Sequence, residues 1–228
     1  MKTPSAFRLP IYPALALTFF LTFAPAARAQ WLTQSFQLKG GWNAVYLHVD
    51  ASYGALSELV GADTNNPIEE IWMWQPASSA AQFASTPQDP IDSGTDWSRW
   101  DRALSPSSAL QRLIGNAACL VKVNINTNAY TWNLVGKPVP PRYEWTTTGL
   151  NFLGFPTHAI TTPNFESFLT PAPNDFYQNA EIHQYPGGEL GAENPAKVTD
   201  LTATLVRRGQ AFWIRNGTEF NSYFSPFE

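Results

Sequence analysis

A chain of 228 residues is long enough to bury a substantial core without covalent help, and its one cysteine, Cys119, excludes an intramolecular disulfide. The formal net charge is −4. An acidic surface repels phosphate backbones, which excludes nucleic acid as a favoured partner.

The first predicted element is not part of the folded domain. Lys2 and Arg8 give a basic start, Ile11 to Ala24 is an apolar run, and Ala27-Arg28-Ala29 supplies the small residues a signal peptidase needs. This layout predicts a secretory signal peptide over residues 1–29, cleaved before Gln30. The apolar run falls short of the ~20 residues that cross a bilayer, and Pro13 and Pro25 bracket it. Residues 1–29 hold Lys2, Arg8 and Arg28 and no acid, so cleavage takes the 14 basic residues to 11 against 18 acidic ones, a net charge near −7. No basic amphipathic helix follows. The expected location is secreted, periplasmic or cell-surface, with no membrane contact after cleavage.

Two strands come next, Ser35 to Leu38 and Trp42 to Asp50, and Gly40-Gly41 between them reads as a hairpin turn. In the second strand Trp42, Ala44, Tyr46 and His48 face one way, and Asn43, Val45, Leu47 and Val49 the other. Residues 52–61 fit a short helix with Leu56, Leu59 and Val60 as its apolar stripe. Ile68 to Gln75 is a strand in which Ile68, Glu70, Trp72 and Trp74 alternate with Glu69, Ile71 and Met73. Pro76 to about Ser108 reads as a long loop rich in Ala, Ser, Pro, Asp and Gln, of the kind that is functional or disordered. Ala117 to Val123 and Ala129 to Val135 are strands again. Pro138-Val139-Pro140-Pro141 then breaks the pattern, since proline donates no backbone hydrogen bond and stiffens a connection.

After the prolines the order repeats. Glu144 to Thr147 and Leu150 to Phe155 form a new opening pair, Asn164 to Leu169 takes the place of the short helix, Ala180 to Tyr185 matches Ile68 to Gln75, and Ala211 to Arg215 matches Ala117 to Lys122. Each of the last pair follows a glycine, Gly115 or Gly209. Landmarks in one order with different gaps between them are expected of a duplicated fold. The repeat equates Trp42 with Leu150, Trp74 with Tyr185 and Cys119 with Trp213. The resulting organisation is a signal peptide (1–29), a first β module (30–137), a Pro-rich joint (138–141) and a second β module (142–228). The chain stops at Glu228 directly after a strand-like stretch, Phe220 to Phe224, which points to a longer reading frame.

The residues that carry the repeat are Gly41-Trp42-Asn43, Ile68-Glu69-Glu70-Ile71-Trp72-Met73-Trp74 and Gly115-Asn116-Ala117, with Gly149-Leu150-Asn151 and Gly209-Gln210-Ala211-Phe212-Trp213-Ile214 in the second copy. This pattern resembles a Gly-Trp-Asn β module found near the amino end of large exported proteins of environmental bacteria. The resemblance covers most of residues 31–228. It implies an architecture and no catalytic residues. The second copy departs from it, with Leu150 in place of Trp and Ile182-His183-Gln184-Tyr185 in place of the Trp pair.

Few residues suggest chemistry. There is no nucleophile elbow, phosphate loop or zinc-protease helix. His48, His158 and His183 stand singly, and a lone His beside a strand is more often structural than a ligand. Glu69 and Glu70 suggest the carboxylate pair of a glycoside hydrolase, but neighbours on a strand point to opposite faces and cannot flank one bond. Asp89, Asp92 and Asp96 are a weak calcium candidate whose spacing fits no standard loop. Cys119, in an apolar strand without a nearby His, reads as an inert core thiol. The aromatic rings remain. Trp72 and Trp74 share a strand face, and Trp97 and Trp100 lie in the polar stretch; exposed, any of the four could stack on a sugar, while buried they are core.

The sequence therefore predicts an all-β protein of two tandem related small sandwich or barrel modules with short helical turns, exported, non-enzymatic and without a cofactor. Its leading function is a structural or adhesive module, whose partners are other domains of the same exported protein or surface polymers. Carbohydrate binding through exposed Trp, with polysaccharide as partner, is the alternative, and a glycoside hydrolase-like enzyme a distant one.

Overall fold

The computed structural model describes residues 30–75, 84–92, 94, 96–142, 149–158, 160–172, 176–191 and 193–215. The signal segment 1–29, the strand expected over 144–147 and the stretch 220–224 lie outside them. Trp31–Glu228 is one compact unit.

The fold is all-β, built from three antiparallel sheets. The first has the order β1 (Leu32–Leu38), β7 (Tyr130–Pro138), β3 (Val49–Asp50). The second has the order β2 (Gly41–Tyr46), β6 (Ala118–Val123), β4 (Ile68–Trp74), β5 (Trp97–Asp101). The third has the order β8 (Leu150–Leu153), β11 (Phe212–Arg215), β9 (Glu181–Gln184), β10 (Ala196–Lys197). The helical pieces are short: a π-helical turn, Ser57–Gly61, and two α-helices, α1 (Phe165–Leu169) and α2 (Phe176–Asn179). Asn164 caps α1, its side chain accepting the Ser167 N–H at 2.8 Å.

The second and third sheets repeat one topology. In each, the first strand pairs with the last, the last with the middle one, and the middle with a short outer strand. Register makes the match residue by residue. Trp42 faces Lys122 as Leu150 faces Arg215, and Asn43 faces Val121 as Asn151 faces Ile214. Ile71 lies opposite Val121 as Ile182 lies opposite Ile214, which sets Trp74 level with Tyr185. The same register places Cys119 on Phe212, not on Trp213. The one-residue shift arises because Asn116, not Gly115, is the counterpart of Gly209. Both take left-handed backbone, with φ of 58° and 86°, and Asn is among the few side-chain-bearing residues that accept it.

The second sheet is the middle layer, which explains why all six residues of β2 are buried. Val45, Cys119, Val121, Ile71 and Met73 pack with Phe36, Leu38, Trp132 and Leu134 of the first sheet. Trp42, Ala44, Tyr46, Leu120, Trp72 and Trp97 pack with Leu150, Phe152 and Trp213 of the third. The alternation expected for β2 is present, with a core on each side. In β4 it is broken. Ile68 pairs with Val123 and Glu70 with Lys122, so a bulge at Glu69 turns Ile68 to the face of Ile71 and Met73.

Gly40-Gly41 is not a hairpin. β1 pairs with β7 and β2 with β6, so the chain changes sheets at this corner. Asn43 is the reason. Its Oδ1 accepts the Lys39 N–H at 2.9 Å and its Nδ2 donates to the Lys39 carbonyl at 2.8 Å, satisfying the backbone where a hairpin partner would. Gly41 has φ of +85°, and a Cβ there would lie 2.2 Å from the Gly188 carbonyl oxygen. Gly149, its counterpart, has φ of +97°.

Candidate functional site

The four tryptophans that are core residues if buried and candidate sugar contacts if exposed are placed by strands. Trp97 and Trp100 lie on β5, not in a loop. Spaced by three along a strand, they point to opposite faces. Trp97 enters the core shared with the third sheet, and Trp100 enters the core shared with the first. Trp72, Trp97 and Trp100 are 4%, 8% and 1% exposed, so no ring face of theirs is open to stack on a ligand. Trp74 is half-buried and packs edge-on against Trp213, with ring centroids 4.8 Å apart. Trp213 stacks on Phe152 at 4.2 Å, and Trp97 approaches Trp213 at 6.3 Å. The rings meet one another across two equivalent sheet faces.

A carboxylate on each of these faces is held in the same way. Glu70 on β4 lies between Lys122 on β6 (3.2 Å) and Arg99 on β5 (3.3 Å). Glu181 on β9 lies between Arg215 on β11 (3.2 Å) and Lys197 on β10 (2.5 Å). By register Glu70 corresponds to Glu181, Lys122 to Arg215 and Arg99 to Lys197. Glu70 also accepts the Trp72 indole N–H at 2.8 Å, and the Arg99 guanidinium sits 5.0 Å over that ring. In the second copy the carboxyl of Glu181 is drawn below the usual range by its hydrogen bond from Lys197. Each carboxylate thus lies between two cations on neighbouring strands, an arrangement that ties those strands together.

The other candidates do not assemble. Glu69 hydrogen-bonds the Asn124 side chain, away from Glu70. Asp92 pairs with Arg99 at 2.7 Å, and Asp89, Asp92 and Asp96 do not come together. Among the described residues no group of His, Cys, Asp and Glu is arranged to hold a metal ion. Cys119 is buried, and burial pushes its thiol up to about 12. His48 is 6% exposed, its Nε2 has no hydrogen-bond partner among the described residues, and burial lowers its imidazole to about 4, helped by the nearby charge of Arg208. His183 is also lowered by burial, and His158 is exposed, its Nδ1 accepting the Ile160 N–H at 3.2 Å.

A concavity lies elsewhere, away from every predicted site residue. A groove of about 490 Å³ runs between β1, the middle of β2 and the segments 184–186 and 207–210. Its lining includes Gln37, Lys39, Gln184, Arg207, Arg208 and Gln210. Gly41 and Gly188 bridge at one end of β2, and the Gly209 carbonyl accepts the Tyr46 N–H at 2.9 Å at the other, so these contacts between copies fix the walls. Its signals in the sequence are Lys39 beside Gly40-Gly41 and the dibasic Arg207-Arg208 beside Gly209, each next to a landmark glycine of the repeat. Comparison of the chain with protein-family models, with curated proteins and with solved structures gave no match.

Proposed function

We propose that this protein is a non-enzymatic structural module of an exported or cell-surface bacterial protein, supporting or attaching further domains or surface polymers. The observation that supports it is the internal use of the reactive inventory. The rings of Trp74, Trp97, Phe152 and Trp213 are engaged between two equivalent sheets, and the two carboxylate triads tie neighbouring strands within each of those sheets. A protein stabilised by its core instead of by disulfides suits a rigid spacer, and the signal-like residues 1–29 direct it outward. The buried Trp rings weigh against sugar binding by those residues. The test combines location with turnover. A bacterial host producing the full chain should export a product whose intact mass begins at Gln30, and this product should hydrolyse none of a panel of glycosides and esters. Retention of the protein in the cytoplasm with residue 1 intact, or turnover that disappears in Glu70→Gln, would overturn the proposal.

A further inference from the structure

We propose that the groove between β1 and the loops at 184–186 and 207–210 binds an acidic saccharide, a sugar chain bearing carboxylate groups. Charge carries the argument first. The chain has more acidic than basic residues, yet Lys39, Arg207 and Arg208 line this concavity and no Asp or Glu does. Elsewhere the cations of the two sheets are matched: Arg99, Lys122, Lys197 and Arg215 each hold a carboxylate. Among the described residues Lys39, Arg207 and Arg208 make no such pair. All three side chains are exposed and free to meet a ligand. Two adjacent guanidiniums suit carboxylate better than a single ammonium would, because each offers a planar fork of donors.

The neutral lining points to sugar rather than to a simple anion. Ser35, Gln37, Gln184 and Gln210 interleave with the cations, and hydroxyl and amide groups both donate and accept, as ring hydroxyls require. The volume of about 490 Å³ exceeds what one small ion needs and falls within the ~300–1,000 Å³ of ordinary ligand sites. The walls are preformed, since backbone bonds from Trp42 to Gly188 (2.8 Å) and from Tyr46 to Gly209 (2.9 Å) fix both loops on β2. A preformed site loses less of its binding energy to the ordering of loops. None of the four predicted tryptophans takes part.

Calorimetry of the exported chain with trigalacturonate tests this, against the neutral trisaccharide of the same length and against acetate at matched ionic strength. Expected are saturable binding of trigalacturonate and at least a tenfold weaker response to the other two. Arg207→Ala and Arg208→Ala should each weaken trigalacturonate about tenfold, as for a lost hydrogen bond to a charged group, with an unchanged melting temperature because both side chains are exposed. Trp97→Phe should leave affinity unaltered. No binding of trigalacturonate, equal binding of the neutral sugar, competition by acetate at millimolar level, or affinity indifferent to both arginine variants would each overturn the proposal. These outcomes leave the structural-module reading untouched, which stands or falls on export and turnover.

Discussion

Asn43 and Asn151 show how one buried amide shapes both copies. Each donates from Nδ2 to the facing strand, to Val121 at 3.5 Å and to Ile214 at 3.4 Å. Asn43 adds the two bonds to Lys39 that turn the chain between sheets. Asn43→Ala should therefore lower stability by about 2–3 kcal/mol in denaturant melts, because it strands buried backbone groups. Asn43→Asp, which keeps the acceptor and loses the bonds that Nδ2 donates to the Lys39, Gly41 and Val121 carbonyls, should not restore it. Gly41→Ala should cost at least as much, since it combines left-handed backbone with a Cβ 2.2 Å from the Gly188 oxygen. A Gly41→Ala protein as stable as the parent would refute the close approach between the copies. His48 sets the response to acid. Its folded-state imidazole at about 4 lies below the ordinary value of 6.5, so the folded protein resists the proton that the unfolded chain accepts. Stability is then complete above pH 6.5 and declines as pH falls towards 4, by up to about 3 kcal/mol. His48→Gln should flatten that decline in melting temperature between pH 6.5 and 4.

At the level of elements, the two triads differ in burial. Glu70 is 15% exposed and Glu181 36%. Glu70→Gln leaves Lys122 and Arg99 partly buried without their shared anion and should cost about 1–3 kcal/mol. Glu181→Gln, screened by water, should cost less than about 1 kcal/mol. Equal effects measured by chemical denaturation would contradict the structural ranking. The strands themselves were legible because alternation is a property of the chain alone: Trp42, Ala44 and Tyr46 do face one core and Val45 and Leu47 the other. The partner of a strand was not legible. Gly40-Gly41 has the composition of a hairpin turn, and only the side chain of Asn43, bonding where a neighbouring strand would, sends β1 elsewhere. β5 was hidden because Trp97 and Trp100 sit in a polar stretch and serve different cores, so they form no one-faced pattern. The bulge at Glu69 was invisible for a similar reason, since it depends on what β6 offers opposite. The groove left only faint signals, the cations beside two landmark glycines, because those cations lie far apart in sequence, at 39 and at 207–208, and only the fold brings them to one concavity.

Across the whole molecule, the copies are joined by more than a linker. Rings from both meet at Trp213, and β2 donates backbone bonds to Gly188 and Gly209 and accepts one from Ala211. Calorimetric unfolding should show one transition. Trp213→Ala should lower its midpoint by roughly 10 °C, from a loss of about 3–5 kcal/mol in a domain of this size. Two separated transitions, with only the later residues affected, would show instead that the copies fold independently.

The middle sheet has a consequence for the order in which the protein is made. Synthesis delivers the amino end first, so the first two sheets can form while residues 149–215 are still to come. At that moment Trp42, Tyr46, Trp72 and Trp97 have no cover, and the outer edge of β2 has no partner. A bare apolar sheet with an open edge recruits any strand within reach, including one from a sister chain. The nascent protein passes through its most adhesive state before it is complete. A folding helper that shields aromatic surface should be needed only during that interval and should let go once Trp213 has seated.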